Sequence, residues 1–122
     1  MEIEITNSDD YPVWIDSYQH GKIIINNMTY TQPIFIRDKH IQIVNKSFQE
    51  LTIDDLLITS ESKPEIIILG TGEKQIFLPG KLQVELYQNG LRVDTMNTAS
   101  ATHTLNLLIA DNRRVWAWLW PF

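Results

Sequence analysis

Two regimes of hydrophobic patterning divide the chain near Leu51. Upstream lie short β-prone runs: Met1–Thr6, Val13–Tyr18, Lys22–Asn26, Pro33–Arg37 and His40–Val44. Each is rich in Ile and bounded by Asn, Asp, Gly or Pro, which predicts strands. Downstream, helical and extended periods alternate. Thr52 and Asp55 form a capping box and Leu51 can staple against Leu56, so a helix starts here. Pro64 ends that segment, and Glu65–Leu69 follows. Its unbroken Ile66-Ile67-Ile68-Leu69 run is that of a strand covered on both faces. A second helix runs from about Pro79 to Asn89, with Leu82 and Leu86 on one face and Gly90 as its left-handed cap. Leu91–Met96 is the next strand. Asn97 or Thr98 then caps a helix to about Asp111, with Ala101, Leu105 and Leu108 in one stripe. The last strand, Arg114–Trp120, alternates Val115, Ala117 and Leu119 against Trp116, Trp118 and Trp120.

Strand, helix, strand, helix, strand with short links implies right-handed crossovers and parallel pairing. The N-terminal strands have no helices between them, so they form an antiparallel part packed on, or extending, the other half. The expected fold class is therefore α/β and three-layered: a mainly parallel βαβαβ half with a β-rich antiparallel N-terminal part. At 122 residues the chain fits a single domain, 1–122, large enough to fold without a metal or disulfide.

Composition narrows the chemistry. With no Cys, disulfides, thiolate metal sites and cysteine nucleophiles are excluded. A net charge of −5 argues against nucleic acid or an anionic membrane as partner. The acidic start lacks the basic, then apolar, pattern of a signal peptide, and no apolar run approaches bilayer length; a soluble, cytoplasmic protein without membrane insertion is expected. On that basis the sequons Asn27-Met28-Thr29 and Asn45-Lys46-Ser47 are read as chance matches.

The loop Gly70-Thr71-Gly72-Glu73-Lys74-Gln75 follows the buried strand, where open α/β sheets bind ligands. Gln75 stands where a dinucleotide fingerprint needs its third Gly. A P-loop ending at Gly80-Lys81 fails at the same position, and again at Leu82. The favoured reading is a tight strand exit needing positive φ, with anion binding by its amides as the alternative. His20, His40 and His103 are scattered without acidic partners, and His103 is expected on an exposed helix face. No Gly-x-Ser-x-Gly elbow occurs. Asp54 and Asp55 read as helix-start charges and Asp9-Asp10 as a loop rather than a metal site. No catalytic residue, metal or cofactor is expected. The tryptophan row is the least ordinary feature: burial is expected for Trp116 and Trp118, partial exposure for Trp120.

The second half resembles a known family through Pro64-Glu65-Ile66-Ile67-Ile68-Leu69-Gly70-Thr71-Gly72, then Pro79, Gly90, Val93, Met96, Thr98, Ala101, Thr104 and Asn106, then Arg114-Val115, Leu119 and Pro121. Tyr18, Gly21, Ile23, Ile25 and Tyr30 extend the match, which spans roughly residues 14 to 121. The family is that of the small MTH-type domains, which includes mitochondrial NADH dehydrogenase (complex I) assembly factor 3 and an adipogenesis-associated protein. Leu105 and the tryptophans of the last strand depart from its usual residues. The resemblance implies a compact α/β domain with no established reaction or cofactor, whose mitochondrial relatives act with partner proteins. The leading expectation is thus a non-catalytic, assembly-type protein acting through protein contacts. The alternative is a small-molecule or anion-binding protein, or an enzyme, using Gly70, Thr71, Gly72, Lys74, Asn97 and Thr98 at the loop and the start of the Asn97–Asp111 helix.

Overall fold

Alternating isoleucines build the first half of the molecule, and their pairing is seen in the computed structural model, which describes residues 3–6, 13–57 and 63–122. Strands β1 (Ile3–Thr6), β5 (Ile34–Arg37) and β6 (His40–Ile43) join one sheet; β2 (Ile15–Gln19), β3 (Lys22–Ile25) and β4 (Met28–Tyr30) form a separate antiparallel meander. Asn26 and Asn27, with φ of 48° and 69°, make the two-residue turn between β3 and β4. The Asp9-Asp10 pair lies outside the described residues.

The second half supplies helix α1 (Ile53–Leu57), β7 (Ile66–Gly70), α2 (Gly80–Gln88), β8 (Val93–Met96), α3 (Thr98–Ala110) and β9 (Val115–Leu119). The Thr52–Asp55 box forms as the sequence predicts. Asp55 Oδ2 accepts from the Thr52 N–H at 2.8 Å, and the Asp55 N–H donates to Thr52 Oγ1 at 3.3 Å. A second box, between Ser47 and Glu50, starts a 3₁₀ turn at Phe48–Glu50.

The large sheet has the order β1-β6-β5-β9-β7-β8. Strand β7 lies between β9 and β8 and is parallel to both, whereas β5 pairs antiparallel with β9. The N-terminal strands therefore do both things open to them: three extend the sheet and three pack over it. This is the mixed α/β architecture expected from the patterning.

The sheet separates two cores of different chemistry. One face carries Ile34, Ile36, Ile41, Ile66, Ile68, Val115, Ala117 and Leu119, covered by the meander and by Ala101 and Leu105 of α3. The other carries Phe35, Ile67, Leu69, Trp116, Trp118 and Trp120, covered by Phe48, Leu56, Leu78 and Leu86. Ile67 and Ile68 are both fully buried, as a strand covered on both faces requires.

All three tryptophans of β9 and its exit are buried. For Trp120, 7% exposed, this corrects the expected partial exposure. Phe48 meets its ring edge-on at a centroid distance of 5.5 Å, and its indole N–H donates to the Lys46 carbonyl at 2.9 Å. Closeness to the chain end does not matter because the 3₁₀ turn closes over the ring. The Trp116 N–H donates to Asp38 Oδ1 at 3.3 Å, while the buried Trp118 N–H has no hydrogen-bond partner among the described residues.

Candidate functional site

Two regions compete for function: the loop beyond β7 named by the sequence, and a groove along β8. In the loop the chain uses its own polar atoms. Gly72 has φ of +96° and a Cβ there would lie 1.9 Å from the Phe122 carbonyl oxygen, so both the turn and the close approach require glycine. Thr98 is fully buried; its hydroxyl accepts from the Gly72 N–H at 2.8 Å and donates to the Trp120 carbonyl at 2.6 Å. The Thr98 N–H donates to the Gly72 carbonyl at 2.8 Å. Thr71 is buried too. Its hydroxyl donates to the Lys74 carbonyl at 2.6 Å and accepts from the Ile76 N–H at 3.0 Å. Asn97 caps α3, its Oδ1 accepting from the Ser100 N–H at 2.8 Å. The structure thus brings Gly70, Thr71, Gly72, Asn97 and Thr98 together, with the Lys74 side chain exposed beside them.

The chain's last residues complete this knot. The Pro121 carbonyl accepts from the Gly21 N–H at 2.7 Å and from the Tyr18 hydroxyl at 2.9 Å. Burial, and then the nearby Glu73 carboxylate, push the Tyr18 phenol above its ordinary value of 10.0. His20 stands edge-on to Phe122, His103 is exposed on α3 as expected, and His40 lies at the β5–β6 turn. No group of three or more His, Asp or Glu suited to a metal ion occurs among the described residues.

The second region is an open groove of about 710 Å³ along the outer edge of β8, bounded by α2 and the 73–79 loop. Helix α2 turns Leu86 into the core and leaves Val84 and Tyr87 outside; the loop leaves Ile76 and Phe77 outside. Phe77 is 69% exposed and Tyr87 84%, and both line the groove. Sequence reasoning named Leu82 and Leu86 and passed over the aromatic off their stripe. That off-stripe Tyr87, with an Ile-Phe pair in a loop, was the available signal. Along the edge, Gln75 Nε2 donates to the Thr95 carbonyl at 2.8 Å.

A βαβαβ half with an antiparallel extension and a packed meander defines a small α/β fold that solved structures share. A protein of Bordetella parapertussis superposes with a TM-score of 0.80 at 25% identity, covering 91% of this chain and 97% of that one. A Bordetella pertussis protein described as a Mth938-like domain does so with 0.70 at 21%, covering 89% and 85%. The chain belongs to the family described as proteins of unknown function DUF498/DUF598, whose model matches residues 15–120. Among curated relatives, the "13 kDa major membrane protein" of Francisella tularensis is 33% identical over 114 residues, covering 85% of this chain and 87% of the relative. NADH dehydrogenase [ubiquinone] 1 alpha subcomplex assembly factor 3 of Xenopus tropicalis is 28% identical over 112 residues. That match covers 89% of this chain and 61% of the assembly factor, so the chain spans about three-fifths of that relative's length. Among the described residues no helix is long and apolar enough to cross a membrane.

Proposed function

We propose that this protein acts non-catalytically, through protein contacts made at the groove between β8, α2 and the 73–79 loop. The observation that carries this reading is the pair of largely exposed aromatic rings, Phe77 and Tyr87, on one groove of mixed polar and apolar lining. Exposed aromatics grouped at a concave edge are the usual anchors of protein interfaces. The relatives named as assembly factors support an assembly-type role. The test compares proteins retained by the tagged chain and by its Phe77→Ser/Tyr87→Ser variant. A partner held by the first and lost by the second is expected. Identical sets from both would overturn the reading.

A ligand at Gly70, Thr71, Gly72, Lys74, Asn97 and Thr98 has less support, because the hydroxyls and the cap oxygen there are already engaged within the chain. A rise in melting temperature with phosphates, nucleotides or carboxylates would restore that reading; a ligand at 100 times its dissociation constant adds about 2.7 kcal/mol.

A further inference from the structure

Among the described residues, strand β8 ends the large sheet and pairs only with β7. In a parallel ladder the backbone groups of successive residues point to alternate sides. The Ile67 N–H donates to the Arg92 carbonyl and the Thr71 N–H to that of Met96, so even-numbered residues of this segment face β7. Val93 and Thr95 therefore direct their N–H and C=O outward. Gln75 covers the Thr95 carbonyl. Val93 has no such cover among the described residues; Arg92 and Asp94 put one charge of each sign on this edge, and the segment contains no proline, lysine or bulge.

From this edge we infer that the groove receives a second copy of the same chain, β8 pairing antiparallel with its counterpart across a two-fold axis at Val93. The inference rests on the contact reading above and names its occupant. A two-fold at Val93 makes the two Val93 residues exchange both backbone hydrogen bonds, because their polar groups face outward. It also sets Arg92 opposite Asp94 of the second copy and Asp94 opposite its Arg92. Arg92 and Asp94 have no ion pair among the described residues, and they share a face by the period of the strand. The edge is therefore self-complementary in charge at this register, whereas centring the axis on Asp94 would oppose like charges. On the groove side, Phe77 and Tyr87 of each copy close over the junction. The four rings remove on the order of 700 Å² from water. Together with the paired strands, this moves the contact toward the ~1,200–2,000 Å² of stable association.

The test is the mass of the full chain in solution, by light scattering and sedimentation velocity from low to high micromolar concentration. A dimer of twice 14.2 kDa is expected. Val93→Pro removes an outward donor and some packing of a half-buried side chain at the sheet edge, and should give a folded monomer. Arg92→Asp and Asp94→Arg should each weaken the dimer about tenfold by opposing like charges at two symmetric pairs. The double exchange R92D/D94R should restore it, and the two single variants should associate when mixed. A monomer throughout, a dimer unmoved by Val93→Pro, or a double exchange that fails to restore would each overturn the proposal. If the chain is monomeric yet loses a protein partner on Phe77→Ser/Tyr87→Ser, the second copy falls and the contact reading stands.

Discussion

Trp118 and Trp120 allow one hydrogen bond to be weighed inside a single aromatic stack. Their rings lie 6.2 Å apart at an interplanar angle of 15°, both in the core under α1 and α2. Phe35 stacks on Trp118 and Phe48 meets Trp120 edge-on, and the polar ends of the two indoles differ: the Trp120 N–H has the Lys46 carbonyl, and the Trp118 N–H has no described partner. Replacing either with Phe removes a similar volume. At ~24 cal/mol per Å³, the roughly 40 Å³ lost costs about 1 kcal/mol at each site. At Trp118 the change also removes a buried orphan donor, whose desolvation costs about 1–3 kcal/mol. Trp118→Phe should therefore leave stability unchanged or raise it by up to about 2 kcal/mol. Trp120→Phe instead breaks a formed bond and leaves a carbonyl without its donor, so about 2–3 kcal/mol is expected. Urea unfolding followed by far-ultraviolet circular dichroism avoids the altered fluorescence and reads both variants alike. A separation of about 2 kcal/mol, the minimum these figures allow, corresponds to roughly 6–10 °C in melting temperature at this chain length. Equal losses, or a larger loss at Trp118, would refute the argument.

Thr98→Val keeps the shape but unpairs the Gly72 N–H and the Trp120 carbonyl, and should cost about 2–4 kcal/mol by denaturant unfolding. Gly90→Ala meets no atom within 4 Å, so its expected loss of about 1 kcal/mol comes from the backbone at φ +72° alone; no loss would mean that α2 can end without this conformation. At Asp38, hydrogen bonding from Arg114 outweighs burial and lowers the carboxyl below its ordinary value; at Asp55, burial raises it but the Lys46 and Thr52 hydrogen bonds win and lower it. Both groups lend stability that is present above their unfolded values near pH 3.9 and lost as pH falls through the lowered native ones. Unfolding free energy should therefore decline on acidification through that window, and Asp55→Asn should flatten the decline; an unchanged slope would count against the pairing.

Strand identity was legible wherever isoleucines alternate between turn residues, and helix starts wherever a hydroxyl or amide precedes the apolar stripe. Strand β4 is three residues long, too short a run for alternation to mark, and its signal is the Asn26-Asn27 hairpin turn rather than its own pattern. The burial of Trp120 is not legible locally because its cover, Phe48 and the Lys46 carbonyl, comes from the 3₁₀ turn and its approach more than seventy residues earlier. At the loop beyond β7 the tight strand exit could be read from Gly70-Thr71-Gly72. That its hydroxyls are engaged could not, since Trp120 and Phe122 arrive from the far end of the chain. The groove depended on strand order. Periodicity marks β8 as a strand and is silent on its standing at the rim of the sheet, beside Tyr87 and Phe77.

The division of the core by the sheet also makes the protein an optical partition. Its three buried indoles all lie on the α1/α2 side, close enough for excitation to pass among them, and should emit together at short wavelength. Trp14, just before β2 and 43% exposed, belongs to the meander layer and should emit to the red. The two bands report two different layers. Loss of the blue band with the red one unchanged would mark the helical layer leaving the sheet while the meander stays in place, and a quencher confined to water would begin with the opposite side.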